Sequence, residues 1–117
     1  MTWTELYQQD YISLDKTSGN RFLLDQALIR ITPEKSGVCE TRHVTTMIGL
    51  VEAGLGVAAV PTMALPGPGH PLLTGVPLVE PEVMRKVGLL KRRGRVLTPA
   101  ALELERLIVE MKQSFSE

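Results

Sequence analysis

The sequence predicts an α/β domain built around a parallel β-sheet. Two observations carry this prediction. Strand-like and helix-like segments alternate along most of the 117 residues. In addition, a stretch with helical periodicity, residues 44–54, lies between two strand-like stretches, residues 38–43 and 57–60. Strand, crossover helix and strand in that order form a βαβ unit, whose strands are normally parallel.

The first part of the chain contains a short helix, a strand and a longer helix. Thr2 followed by Glu5 is the pattern of a capping box, which predicts a helical turn over WTELYQQ. The segment YISLD, residues 11–15, is predicted to be a strand with Ile12 and Leu14 on one face, and the turn-rich KTSGN follows it. Residues 21–31 are apolar around most of the helical wheel, so we expect this helix to be buried on two sides.

The middle of the chain carries the βαβ unit. Residues 38–43 alternate small apolar and polar side chains, which is typical of an edge strand. In the helix that follows, Gly54 is placed to end it in a left-handed conformation. The continuous apolar run 57–60 predicts a central strand covered on both faces. The apolar stripe of the helix consists of Val44, Met47, Ile48, Val51 and Leu55.

The last part begins with a loop rich in proline and glycine that contains one helical turn near residues 62–65. PLVEP and RKVGLLKRR are further strand candidates, and RRGR is a tight turn. Thr98 followed by Pro99 is a strong helix start, with the N-cap before the first helical position. The final helix carries an apolar stripe of Ala101, Leu104, Ile108, Met111 and Phe115.

Composition and charge exclude several classes of function. Thirteen basic and 13 acidic residues cancel, so the whole molecule has no net electrostatic attraction to nucleic acid or to an anionic membrane. The amino terminus lacks the layout of a signal peptide and no apolar run could cross a bilayer, so we expect a cytoplasmic protein. The single cysteine, Cys39, has no disulfide partner and no neighbours at metal-ligand spacing. We therefore expect no metal and no cofactor.

The residue types also argue against catalysis. No Cys–His or Ser–His–Asp constellation, GxSxG motif or phosphate-binding loop is recognisable, so the chain is not expected to be an enzyme. Gly54 and Gly56 follow a helix and precede a strand, which is the reverse of the order in a dinucleotide-binding fingerprint. The basic cluster at residues 91–95 is interpreted as a solvated turn, because no aromatic residues are interleaved with it.

The order of these segments resembles the carboxyl-terminal part of the effector-binding domain of LysR-type transcriptional regulators. The resemblance rests on WTEL, SGNR, LVEAGLGVAAVP, RKVGLLKRR and RVLTPAALE, and it covers nearly the whole chain. It implies a fold like that of type 2 periplasmic binding proteins, in which two α/β subdomains enclose a cleft for a small molecule. Residues 1–7 would end the hinge, residues 8–82 would form the Rossmann-like second subdomain, and residues 83–117 would supply the returning strand and last helix of the first. The DNA-binding domain is expected to be absent from this chain.

The resemblance and the predicted topology together place an effector site at the carboxyl ends of the strands. Hydroxyl groups and helix amino termini there suit a small anionic metabolite. Plain helix capping by Ser18, Asn20 or Thr45 is the competing interpretation, while His43 could be a simple surface residue and Pro61 a simple strand stop. The candidate residues are Leu14, Asp15, Ser18, Gly19, Asn20, His43, Val44, Thr45, Val60 and Pro61.

A subunit interface is expected on the over-apolar helix and the neighbouring edge strand, and the candidates are Leu24, Leu28, Val38 and Glu40. The stripe on the last helix lacks an obvious partner surface, which predicts self-association into a homo-oligomer. Effector binding would then rearrange the oligomer and change how the missing domains engage DNA. A solute-binding protein of a transport system shares the implied fold and remains the alternative; a signal peptide or a helix-turn-helix before residue 1 would discriminate between them.

Overall fold

The computed structural model describes the backbone of residues 1–115 and the side chains of residues 1–112. Its elements, in chain order, are α1 (Trp3–Gln8), β1 (Tyr11–Leu14), α2 (Gly19–Ala27), β2 (Cys39–Thr41), α3 (Val44–Glu52), β3 (Val57–Ala58), a 3₁₀ turn (Thr62–Ala64) and α4 (Pro99–Phe115). The chain divides into two compact units, Met1–Met84 and Arg85–Glu117, here called unit 1 and unit 2.

Unit 1 contains a three-stranded parallel sheet in the order β2-β1-β3. The predicted parallel α/β architecture is therefore confirmed, as is the edge position of β2. The expectation that residues 57–60 form the central strand is wrong, because β1 lies in the middle and β3 is the other edge. An apolar run indicates that both faces of a strand are covered, but it carries no information about which backbone pairs on each side.

The two faces of the sheet are covered by different clusters, as the alternation of side chains along a strand requires. On one face Trp3, Leu6 and Leu28 form a buried cluster, against which Val57 and Ala59 pack. On the other face the cluster consists of Ile12, Leu14 and Met47, and Ala58 and Val60 pack against it. The predicted coverage of residues 57–60 on both faces and the shared face of Ile12 and Leu14 are thus confirmed.

Helix α1 begins as the sequence predicts, and helix α2 ends earlier than predicted. The Thr2 side chain accepts a hydrogen bond from the Glu5 N–H, and the Glu5 side chain accepts one from the Thr2 N–H. Helix α2 ends at Ala27 instead of residue 31, with Leu28 as its C-cap. Phe22 is 62% exposed and Ile29 is 80% exposed, so the expected second burial surface of this segment is not formed within the described chain.

Helix α3 packs three residues of its predicted stripe, Val44, Met47 and Val51, against the sheet, together with Leu50 from outside the stripe, whereas Ile48 does not join this cluster. Met47, at 1% exposure, is the most buried large side chain described, and Val44 and Val51 pack beside it. Gly54 has a φ of 88°, the left-handed conformation expected after a helix end. The stripe stops before Leu55, which is 45% exposed because the chain has already turned away at Gly54.

The proline-rich segment after the 3₁₀ turn returns to the amino terminus of unit 1. The Val79 N–H donates to the carbonyl oxygen of Met1 over 3.0 Å, and the Trp3 indole donates to the carbonyl oxygen of Pro81 over 2.9 Å. PLVEP forms only an isolated bridge between Val79 and Thr2, not the predicted strand. Leu78 and Val83 pack on the cluster around Trp3, which anchors this segment.

Unit 2 consists of an irregular segment and helix α4. RKVGLLKRR is not a strand, because no other described segment supplies the backbone partner that a strand requires. The predicted turn at RRGR is present, with Gly94 at a φ of 75°. Helix α4 begins as predicted, with the Thr98 hydroxyl accepting from the Ala101 N–H over 3.2 Å.

The predicted stripe of α4 is largely exposed: Leu104 is 58%, Ile108 40% and Met111 53% exposed. The side chain of Phe115 and the last two residues of the predicted 83–117 segment lie outside the described residues. Among the helices described, none combines the length and the apolar character needed to cross a membrane.

Candidate functional site

The carboxyl ends of β1 and β2 lie side by side and bring two of the predicted corners together. Leu14 pairs with Thr41 in the parallel register, and the N–H of Asp15 donates to the carbonyl oxygen of Thr41 over 2.6 Å. The turn before α2 therefore adjoins the corner before α3. We refer to this region, comprising residues 14–20, 41–45 and 60–61, as the carboxyl edge.

Asp15 organises the first corner. Its carboxylate accepts hydrogen bonds from the N–H and the hydroxyl of Thr17, and its carbonyl oxygen accepts one from the Ser18 N–H over 2.9 Å. The hydrogen bonds from Thr17, reinforced by the positive charges of Arg42 and Arg21, hold the pKa of Asp15 below its usual value. Asp15 thus contributes a fixed negative charge to the carboxyl edge, and an anionic ligand would have to bind away from it.

Ser18 and Gly19 lie at the start of α2, where the backbone N–H groups of a helix point outward. Ser18 is the N-cap residue by position, as the capping interpretation requires, but its side chain makes no capping hydrogen bond. Asn20 is half-buried in the first turn and does make an interaction with its surroundings. The Ser18 hydroxyl is consequently available to hydrogen-bond a ligand at this corner.

The second corner, between β2 and α3, also lacks a side-chain cap. His43 is the N-cap residue of α3 and makes no side-chain capping bond, so the alternative of capping by Thr45 is wrong. The Thr41 hydroxyl instead donates to the carbonyl oxygen of His43 over 3.1 Å, which fixes the turn. His43 and Thr45 are exposed, whereas Val44 packs into the cluster below. Two helix amino termini without side-chain caps therefore lie next to each other.

The remaining predicted residues contribute backbone or apolar packing to the carboxyl edge. Leu14 is buried, so only its backbone reaches the carboxyl edge. Val60 packs against the same cluster as Leu14, and Pro61 is half-buried. Because Tyr11 pairs with Val57 and Ile12 with Ala58, continuing this register by two residues places Val60 level with Leu14. The structure thus places all three chain segments at one end of the sheet.

Arg21 is a residue of the site that the sequence analysis did not single out. Its Nη1 donates to the carbonyl oxygen of Leu14 over 2.8 Å, and its Nε donates to the Asp25 carboxylate over 2.9 Å. The hydrogen bond with Asp25 raises the pKa of Arg21. A cation in the first turn of a helix opposes the helix dipole, and this mismatch is the sequence signal that could have indicated a specific partner for Arg21.

The predicted interface residues lie in different environments. Val38 is 50% exposed and Glu40 is exposed on the edge strand, so both are accessible on unit 1. Leu24 is half-buried against the cluster around Trp3, and Leu28, at 5% exposure, belongs to that cluster. Leu28 therefore serves the core of this chain, and only the other three residues present side-chain surface outward.

A cleft of about 520 Å³ lies away from the predicted site, between α1 and the loop that follows α2. Its lining residues precede β1 and β2 and therefore lie at the amino-terminal edge of the sheet; they are Thr4, Tyr7, Gln8, Arg30, Ile31, Thr32, Glu34 and Lys35. No sequence motif marks this cleft, so it could not be predicted from the sequence. Within residues 1–115 no group of three or more His, Cys, Asp or Glu side chains is arranged to hold a metal ion.

Comparisons with known proteins give one consistent result. The sequence matches the LysR substrate binding domain family over residues 1–113. It is 38% identical over 109 residues to the uncharacterized HTH-type transcriptional regulator YbhD of Escherichia coli strain K12, covering 93% of this chain and 34% of that protein. It is 37% identical over 100 residues to the uncharacterized HTH-type transcriptional regulator YfeR of Shigella flexneri, covering 85% of this chain and 32% of that protein. The chain spans about a third of the length of these relatives. No solved structure matches it significantly.

Proposed function

Because the chain belongs to the LysR substrate-binding domain family, whose members are transcriptional regulators and not enzymes, we propose that it is the effector-sensing module of a LysR-type regulator. The family assignment implies a fold like that of type 2 periplasmic binding proteins, and the mixed α/β unit with its parallel sheet is consistent with it. The effector would be a small anionic metabolite bound at the carboxyl edge.

One observation carries the placement of the effector. The hydrogen bond between the Asp15 N–H and the Thr41 carbonyl oxygen joins two corners, and each corner precedes a helix that has no side-chain cap. Amino termini of helices attract anions, because their backbone N–H groups are unpaired and the helix dipole is positive there. The Ser18 and Thr45 hydroxyls could add hydrogen bonds, and Arg42 adds positive charge that offsets Asp15.

The effector would act by closing a cleft between two subdomains. In this proposal residues 8–82 form the second subdomain, residues 1–7 end the hinge, and residues 83–117 belong to the first subdomain. The closed form would bind the effector more tightly than the open form does. This difference in affinity would shift the conformational equilibrium toward the closed form. The DNA-binding domain would lie in an amino-terminal part of the regulator outside this chain.

A change in oligomer arrangement would transmit closure to DNA. The proposed interface is the surface of α2 and β2, where Val38 is exposed just before the edge strand and Phe22 is exposed on the helix. An exposed edge strand is a common site of association between subunits, because its backbone N–H and C=O groups are unpaired on one side. Leu24 and Glu40 would contribute at its margins.

The experiment begins with a thermal-shift screen of the 117-residue chain against small carboxylates and phosphates. The compound that stabilises it most is then titrated into ¹⁵N-labelled protein. We expect saturable shifts of the amide signals of residues 18–20 and 44–46, and weaker binding by a Ser18→Ala, Thr45→Ala double variant. Thr74→Ala, a change of the same type on an exposed loop residue, is the matched control. Equal binding by the double variant and the control would refute the proposed site.

A further inference from the structure

The cleft at the amino-terminal edge of the sheet has the properties of a second ligand site. Its volume of about 520 Å³ is within the usual range for pockets that bind small molecules, roughly 300–1,000 Å³. Its lining comes entirely from unit 1. It is separated from the carboxyl edge by the length of the strands, so it cannot be part of the proposed effector site.

Part of the lining of the cleft is apolar and fixed. Tyr7 and Ile31 line it, and both are half-buried and pack against the cluster formed by Trp3, Leu6 and Leu28. The Tyr7 ring makes an edge contact with the Tyr11 ring, with centroids 5.0 Å apart, and lies tilted 6.3 Å from the Trp3 ring. The orientation of Tyr7 is therefore set by its neighbours before any ligand arrives, which lowers the entropy cost of binding.

The loop after α2, to which Ile31 also belongs, is tied down at Lys35. The Lys35 carbonyl oxygen accepts a hydrogen bond from the Tyr11 hydroxyl over 2.7 Å, and its Nζ lies 3.4 Å from the Asp10 carboxylate. Because Tyr11 is itself buried in the sheet, the loop is anchored to the core. Both segments that line the cleft are thus held by the core before a ligand binds.

Polar groups of the cleft have unused hydrogen-bonding capacity. The Arg30 guanidinium forms no ion pair or hydrogen bond with any residue of the described chain, and the Tyr7 hydroxyl forms no hydrogen bond with one. Burial raises the pKa of Tyr7, so its hydroxyl keeps its proton and can donate. Since Lys35 is paired with Asp10 and Glu34 is the one carboxylate in the lining, Arg30 is the cation of the cleft that no described carboxylate pairs with.

We propose that this cleft binds a small planar molecule that carries one carboxylate or phosphate group. The ring of the ligand would lie against Tyr7 and Ile31, while its anionic group would accept hydrogen bonds from Arg30. Arginine presents planar, paired donors that match carboxylate and phosphate oxygens, and an aromatic ring gains contact energy from an offset or edge arrangement with tyrosine. The Tyr7 hydroxyl would supply a further donor.

The test uses the 117-residue chain labelled with ¹⁵N and four probes. Phenyl phosphate and benzoate carry both a ring and an anion, inorganic phosphate lacks the ring, and benzylamine has the opposite charge. We expect phenyl phosphate or benzoate to give saturable amide shifts in residues 4–8 and 30–35, and the comparison of these two decides between phosphate and carboxylate. Inorganic phosphate and benzylamine should bind at least about tenfold more weakly than the better of these two probes. Shifts centred on residues 15–20 and 43–46 would overturn the proposal and assign the probes to the carboxyl edge.

Variants distinguish a site from nonspecific adsorption. Arg30→Gln should weaken binding of the better probe by about fivefold or more, because it removes the charged donor. Arg93→Gln, a matched change at an exposed arginine in unit 2, should leave binding unchanged. Tyr7→Phe keeps the ring and should weaken binding less than Arg30→Gln does. Both cleft variants should retain the dispersed amide spectrum of the parent, and an Arg30→Gln protein that is folded and binds like the parent would refute the site.

Discussion

Gly56 approaches the backbone of Asp10 so closely that no side chain fits between them. A Cβ atom at position 56 would collide with the carbonyl oxygen of Asp10, the same oxygen that accepts the Val57 N–H over 2.8 Å. This contact starts the pairing of β3 with β1. The glycine that follows Leu55 is therefore required by the packing of two strands.

We predict that Gly56→Ala lowers the free energy of unfolding by about 2–3 kcal/mol, since the strands must separate to admit the methyl group. Gly49→Ala is the matched control: Gly49 lies in α3 with open space around it, and alanine there should stabilise by about 0.5–1 kcal/mol. Urea unfolding followed by circular dichroism measures both. Equal stability of the two variants would contradict the role assigned to Gly56.

Arg21→Met is expected to lower the free energy of unfolding by about 1 kcal/mol. The change keeps an unbranched chain but leaves the Leu14 carbonyl oxygen without its donor and Asp25 without its partner. The cost is moderate because the Arg21 side chain is 25% exposed and water can reach the vacated groups. Arg30→Met, which removes no interaction with a described residue, serves as the control and should be neutral within the error of denaturant unfolding.

The carboxylate of Asp15 should titrate below the usual aspartate pKa of about 3.9. Since the folded-state pKa is depressed, Asp15 contributes stability that is fully present above the unfolded value and is lost as pH falls through the folded value. Thr17→Val removes one donor and should raise the pKa of Asp15, which ¹³C NMR of the carboxyl carbon measures directly. Thr46→Val, an exposed threonine on α3, should leave the Asp15 titration unchanged. A pKa of Asp15 unaffected by Thr17→Val would show that the Thr17 hydroxyl is not its main stabiliser, since the backbone N–H of residue 17 remains.

Self-association of the chain is predicted from the exposed stripe of α4. Leu104, Ile108 and Met111 present apolar surface that association would cover. A double change, Leu104→Glu and Met111→Glu, should shift the mass toward a single chain in light scattering coupled to gel filtration. The matched control, Leu102→Glu and Val109→Glu, alters exposed apolar residues on the opposite side of the same helix. A parent protein with the mass of one chain at micromolar concentration would refute this prediction.

Much of the helical structure could be predicted because its signals are local. The capping box at Thr2, the stripe ending in Gly54 and the Thr98–Pro99 helix start each depend on residues within one or two helical turns. The candidate site was predicted from the same local signals together with the family resemblance. Predicting which corners form this site then required only the rule that ligands bind at the carboxyl ends of parallel strands.

Other features could not be predicted because they depend on residues distant in sequence. RKVGLLKRR has a strand-like pattern, but a strand forms only where another backbone supplies hydrogen bonds, and none is present among the described residues. The early end of α2 reflects the burial of Leu28 beside Trp3 and Leu6, which lie more than 20 positions away. Arg21 was missed for a different reason: Leu14 is only seven residues away, but the hydrogen bond to its carbonyl oxygen depends on how α2 folds back onto the end of β1.

The sequence by itself therefore determined the α/β class, the starts of α1, α3 and α4, the parallel direction of the strands and the LysR family. These follow from periodicity, capping chemistry and motif order, which act over short stretches of chain. The tertiary structure alone decided that β1 is central, that Arg21 ties α2 to the end of β1, and that a second cleft opens at the amino-terminal edge. Each of these depends on which distant backbone or side chain completes a hydrogen bond or covers an apolar surface, and that choice is made only when the whole chain packs.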